Sequence, residues 1–177
     1  MILDVLTFPD SRLKKKALPV KKFGEELRNL SQDLFETMYA KNGIGLAATQ
    51  VGVQQRIIVI HLRLPDQSQS NVESLIDESN PITLVNPSIK ESKGLQVYEE
   101  ACLSVPEFSA KIERHEDIVV EYQTVEGEQK ELSAAGLFSV CIQHELDHLE
   151  GILFIDHLPP FERKILQKRL KKKSIKS

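Results

Sequence analysis

Residues 137–149 read Leu-Phe-Ser-Val-Cys-Ile-Gln-His-Glu-Leu-Asp-His-Leu. Apolar side chains recur here on nearly every face at helical spacing, the pattern of a helix buried in the middle of a domain. Within it, His144-Glu145-Leu146-Asp147-His148 matches HExxH. Histidines four apart lie one above the other on a helix, so both imidazoles reach one cation, and Glu145 beside them can move protons. Core histidines bonded to backbone are the bland alternative. Burying two imidazoles and two carboxylates in one turn is costly without a compensating cation, which favours a metal helix.

Working outward, residues 108–134 read as three strands, Phe108–Arg114, Asp117–Thr124 and Gln129–Ser133, with Glu126-Gly127 turning the last pair. Arg56–Leu62 and Ile82–Val85 are further β-branched runs, and the polar stretch Pro65–Pro81 between them reads as a surface loop. Phe23–Ala40 places Leu27, Leu30, Leu34, Phe35 and Met38 on one face of an amphipathic helix that stops at Asn42-Gly43. Pro159-Pro160 opens a last helix ending in lysines. The class is α+β: short mixed or antiparallel sheets around a buried central helix carrying HExxH, flanked by an N-terminal and a C-terminal helix.

The 177 residues are 41% hydrophobic and fit one catalytic domain, 1–177, with 161–177 a basic tail. That tail carries eight Lys/Arg against Glu162, so the net charge of −3 divides into −10 over the first 160 residues and +7 at the end. No run of eighteen apolar residues and no basic-then-apolar leader is present, so a soluble cytoplasmic protein without membrane contact is expected. Thiols are expected to stay reduced there, and Cys102 and Cys141 are each read as a core side chain or a ligand.

A catalytic site needs a third protein ligand and a position open to water. Cys141 is about 10 Å along the axis from His148 by helical rise, too far for its short side chain, and reads as core. Asp156 and His157 follow the helix, as the third ligand does in other HExxH enzymes, but read as loop surface. His61 and His115 are lone residues in strands. Cys102, within Glu99-Glu100-Ala101-Cys102-Leu103-Ser104, is the best remaining candidate, and a thiolate makes the site softer than that of an ordinary zinc protease. The stretch 43–52, GIGLAATQVG, permits close backbone approach, with Gln50 a lone amide among small residues. It follows a helix and lacks GK[ST], which excludes a nucleotide loop.

Three segments in order, GIGLAATQVG, EACLS and QHELDH, resemble the signature motifs of peptide deformylases. With the N-terminal TFPDSRLKKKALPV and LEGILFIDHL after the helix, the resemblance covers nearly the whole chain. It implies a bacterial enzyme that hydrolyses the formyl group from N-formylmethionyl nascent peptides and releases formate. Cys102, His144 and His148 are then the metal ligands, for Fe²⁺ with Ni²⁺, Co²⁺ or Zn²⁺ able to substitute. Glu145 is the general base, and the Gln50 amide and the Leu103 backbone N–H stabilise the oxyanion. Ile44, Leu137, Val140 and Cys141 surround the methionine side chain, and the peptide backbone lies against Gly45 and Ala101. The resemblance also suggests that Glu100 and Arg114 pair beneath the site, and that the basic tail contacts the ribosome; no DNA partner is implied.

Two positions depart from the family pattern. Ala101 stands where EGCLS has glycine, a strained choice if its φ is positive. Ser109 stands where many relatives carry arginine. A zinc-type endopeptidase, with a downstream His, Glu or Asp ligand, and a weakly catalytic ribosome-associated relative are the competing readings.

Overall fold

The computed structural model describes residues 1–62 and 81–174. Apart from Pro81, the loop read over Pro65–Pro81 lies outside them.

Among the described residues, three α-helices and two antiparallel sheets form an α+β arrangement. Ile57–Ile60 forms β2, whose four residues are all buried. Its side chains alternate faces: Ile58 and Ile60 join the core against α2 (Gly136–Leu149), whereas Ile57 and Val59 join the core under α1 (Glu25–Ala40). This two-sided burial is why the run carries no polar alternation. The α1 stripe of Leu27, Leu34 and Met38 covers one face, and the helix ends at Lys41 before Asn42, which takes φ 56°.

On either side of β2 lie β1 (Gly45–Ala47) and β3 (Ile82–Lys93), and β6 (Asp117–Gln123) and β7 (Gln129–Ala135) complete the order β1-β2-β3-β6-β7. Here β3 runs eight residues beyond the Ile82–Val85 expected from sequence. The polar stretch Asn86-Pro87-Ser88 hides the continuation, because Pro87 falls at an irregularity between Val85 and Ser88 where a missing N–H is tolerated. Asn86 holds the kink: its side chain accepts from Val20 N at 2.8 Å and donates to Val20 O at 2.9 Å and Gln123 Oε1 at 2.8 Å.

A separate hairpin, β4 (Gln96–Cys102) with β5 (Val105–Arg114), stands over the end of α2. Neither β1 nor β4 was legible in the sequence, the first for its three residues and the second for its mostly polar, exposed side chains. Their pairing partners, not their composition, make them strands. Below the hairpin Val105 and Ile112 pack on Leu153, Phe154 and Leu158, and α3 (Pro160–Ser174) adds Leu166. None of the described helices is long and apolar enough to cross a membrane.

Candidate metal centre and cleft

Of the fourteen residues of α2, eleven are buried, and the helix starts at Gly136, whose φ of 57° turns the chain out of β7. This burial carries His144 and His148 inward with ring centroids 5.0 Å apart. Cys102 closes β4 at an irregularity where the register slips between Ala101 and Cys102, and the slip aims its sulfur at the helix. Ligand atoms of Cys102, His144 and His148 all lie within 4.8 Å of one another, with Cys102 Sγ 3.3 Å from His148 Nε2. One soft sulfur and two imidazoles at these separations suit a tetrahedral divalent ion with one position left over.

His144 Nδ1–H donates to Glu100 Oε1 at 2.7 Å, which leaves Nε2 to face the centre. Glu100 is itself gripped by Arg114, whose Nε and Nη2 donate at 2.8 and 2.9 Å to its two oxygens. Burial pushes the Glu100 carboxyl up, but the Arg114 and His144 hydrogen bonds outweigh it and hold the group at about 2. Arg114 Nη1 also donates to Asp147 Oδ2 at 2.6 Å, and His157 Nε2 reaches the same oxygen at 2.7 Å. Burial likewise raises Asp147, and the bonds from His157 and Arg114 leave it below the usual carboxylate range. Burial, with His144 and Arg114 nearby, drives His148 well below the ordinary histidine value, the neutral form a ligand needs.

Glu145 lies one residue from His144 at the floor of a cleft of about 680 Å³. Burial raises its carboxyl to about 7, and its Oε2 has no hydrogen-bond partner among the described residues. A buried oxygen with a proton affinity near neutrality is poised to exchange a proton with something that enters the cleft. Gly45 makes room for it, since a Cβ there would stand 2.5 Å from Glu145 Oε1 and 3.0 Å from Cys141 Sγ. Gln50 sits in the 3-10 turn Ala48–Val51 after β1, with Oε1 accepting from Ala47 N at 2.9 Å. Its Nε2 donates to Ser104 Oγ at 3.1 Å and lies 3.6 Å from Cys102 Sγ, so the amide points its donors at the metal group.

The cleft brings together Ile44, Gly45, Gln50, Ala101, Cys102 and Leu103 with Leu137, Val140, Cys141, His144 and Glu145. His148 lies beneath the cleft, 1% exposed. Cys141 stays outside the ligand group, and burial, with Glu145 and Glu100 nearby, pushes its thiol well above the ordinary value. Neither Asp156 nor His157 joins the group: Asp156 pairs with Lys14 at 2.5 Å and caps Leu153 N at 2.9 Å, and His157 is held by Asp147. His61 bonds the Tyr39 hydroxyl at 2.8 Å, and His115 Nδ1 meets Gly94 O at 3.3 Å. Ala101 is not among the positive-φ residues, so its methyl is unstrained, and Ser109 donates to Glu99 Oε1 at 2.8 Å. The supporting roles of Asp147, His157 and Ser104 were not read from sequence. The one available signal was Asp147 itself, an acid between the two histidines of HELDH.

Comparison with known proteins agrees with this geometry. The family model described as polypeptide deformylase matches residues 2–164. A peptide deformylase of Hamiltonella defensa is 46% identical over 171 residues, covering 97% of this chain and 93% of its own length. The structure is similar to that of peptide deformylase from Ehrlichia chaffeensis in complex with actinonin, with TM-score 0.87, 36% identity and 97% of each chain covered. It is also similar to a class I type b peptide deformylase from Acinetobacter baumannii bound to Met-Ala-Ser, with TM-score 0.80, 34% identity, and 89% of this chain and 99% of that one covered. A half-buried thiol and two buried imidazoles gathered at and beneath the floor of a cleft, on a chain matched along nearly its whole length, make this protein a member of the polypeptide deformylase family.

Proposed function

We propose that this chain is a metal-dependent hydrolase that removes the formyl group from the N-terminal methionine of new polypeptides and releases formate. The observation that carries the reading is the convergence of Cys102, His144 and His148 at and beneath a cleft that also holds Glu145, whose Oε2 has no hydrogen-bond partner among the described residues. The donor set fits a divalent cation, Fe²⁺ by preference with Ni²⁺, Co²⁺ or Zn²⁺ as substitutes, and α2 is the central HExxH helix that carries it. When bound, such a cation supplies Lewis-acid polarisation and lowers the pKa of water toward neutrality.

The chain's own residues do the rest. Glu145 accepts the proton of the attacking water and later returns it to the departing methionine amine. Gln50 Nε2 and the Leu103 backbone N–H donate to the oxyanion formed on the formyl carbon. Ile44, Leu137, Val140 and Cys141 exclude water from around the methionine side chain, and the extended peptide lies along Gly45 and Ala101. The Met-Ala-Ser held by the Acinetobacter relative is of the product type this reading requires.

An endopeptidase reading needs a downstream acid or histidine as third ligand, and Asp156 and His157 are both engaged elsewhere. We also propose one catalytic domain over 1–177, located in a bacterial cytoplasm, whose basic tail at 161–177 touches the ribosome by attraction to phosphate. The deciding test is anaerobic incubation of the Fe²⁺ or Ni²⁺ protein with formyl-Met-Ala-Ser. Formate release supports the reading, and cleavage of an internal peptide bond without formate refutes it.

A further inference from the structure

We propose that the groove between the outer edge of β5 and α3 is a second substrate subsite, which takes the extended segment of a formyl peptide lying beyond the cleft. The inference rests on the deformylase reading above, and its test separates the two.

The groove encloses about 590 Å³, and its β5 wall is four consecutive residues, Phe108 to Lys111. Successive side chains of a strand point to opposite faces, so four in a row line one groove only where it runs along the strand's backbone edge. Among the described residues that edge is open: β5 pairs with β4 alone, and no backbone group of residues 108–112 bonds to backbone outside that hairpin. Opposite the edge stand Leu158, Ile165 and Leu166. A strand edge facing an apolar helix wall is the geometry in which an extended peptide adds as a strand.

Continuity with the cleft selects the occupant. Phe108 and Ser109 line both spaces. Ala101 and Ser109 are register partners on the hairpin, so their side chains lie side by side on one face, and both are small and exposed. They form a low saddle from the cleft to the groove. Crossing two strands takes about 10 Å, or about three residues, and four strand residues then span about 13 Å, which puts about residues six to nine of the peptide in the groove. The charged side chains there are Lys111, Arg169 and Glu162, with His157 at one end, so a segment alternating apolar and acidic residues fits best.

The test measures kcat/KM on the Ni²⁺ enzyme for three substrates: formyl-Met-Ala-Ser, formyl-Met-Ala-Ser-Gly-Ser-Val-Glu-Val-Thr, and a nonapeptide ending Gly-Ser-Gly-Ser. The Val-Glu-Val-Thr substrate is expected to exceed the other two by about fivefold, carried by KM. In the double variant Ile165→Glu, Arg169→Glu that ratio is expected to fall to near one. On the unaltered enzyme, acetyl-Val-Glu-Val-Thr is expected to compete with the long substrate and not with the tripeptide. Equal kcat/KM for all three on the unaltered enzyme overturns the subsite, whereas absence of formate from every peptide overturns the deformylase reading and the subsite with it.

Discussion

Nδ1 of His144 and Oε1 of Glu100 stand 2.7 Å apart, and the same carboxylate receives two hydrogen bonds from Arg114. The His144 imidazole is therefore oriented by a carboxylate that is itself fixed, a buried chain from β5 through β4 to α2.

Arg114→Ala leaves Glu100 buried without its main partner, and removing one member of such a pair costs about 3–5 kcal/mol. Metal affinity is expected to fall about 10–100-fold as His144 loses its orientation. Urea unfolding and competitive metal titration check the two effects. The acid limb changes as well. Glu100 is held at about 2, below its unfolded value, so its contribution is full above the unfolded pKa and is lost as pH falls toward 2. Stability of the variant is expected to decline less steeply over that window.

Glu145→Gln is expected to lower kcat by at least about 100-fold, because the amide cannot carry the proton. In the metal-free protein it is also expected to stabilise. Glu145 is raised to about 7, above its unfolded value, so the folded state binds its proton more tightly and stability falls as pH rises toward 7. The variant lacks this loss, and its advantage over the unaltered protein, on the order of a few kcal/mol above pH 7, should vanish at acid pH. Thermal melts of the two metal-free proteins across that range decide it.

Gly45→Ala places a methyl where Glu145 Oε1 and Cys141 Sγ now lie. The carboxylate must swing aside, and a misplacement of about 1 Å costs about 100-fold in turnover. Near-unchanged metal content with greatly reduced formate release is the expected result. Unchanged release would mean that Glu145 has no fixed working position.

Cys102→Ser replaces a soft ligand by a weak hard one, and metal is expected to be lost on dialysis. Chelation of the unaltered protein should lower its melting temperature and added Ni²⁺ restore it, since an ion bound only by the folded state stabilises that state. The serine variant should show little such response.

Methionine specificity is checked at Val140, which is 3% exposed and lines the cleft. Val140→Phe is expected to raise KM for formyl-Met-Ala-Ser about tenfold, with a smaller effect on a formyl-Ala substrate, because filling an apolar pocket penalises the longer side chain.

Local pattern made α2 legible from the sequence: HExxH on an all-round apolar stretch requires a buried helix, and four-residue spacing stacks the histidines. It also marked α1, β2, β5 to β7 and the start of α3, where period and burial agree. Residues 43–52 and 99–104 stood out by resemblance to family motifs rather than by pattern. Pattern could not mark β4, which is mostly polar and exposed, or β3 beyond Val85, because pairing across an irregular register holds them.

By itself, then, the sequence determined the candidate ligand types, the helix that presents two of them and the family to which the chain belongs. Tertiary structure alone decided that Cys102 Sγ arrives beside His148, that Arg114 and Asp147 meet behind Glu100, and that β5 keeps an open edge beside α3. The physical reason is range. Helical period and capping act between neighbours in the chain, whereas these contacts join residues 33 and 46 positions apart, whose meeting depends on how separate elements bury their apolar faces together.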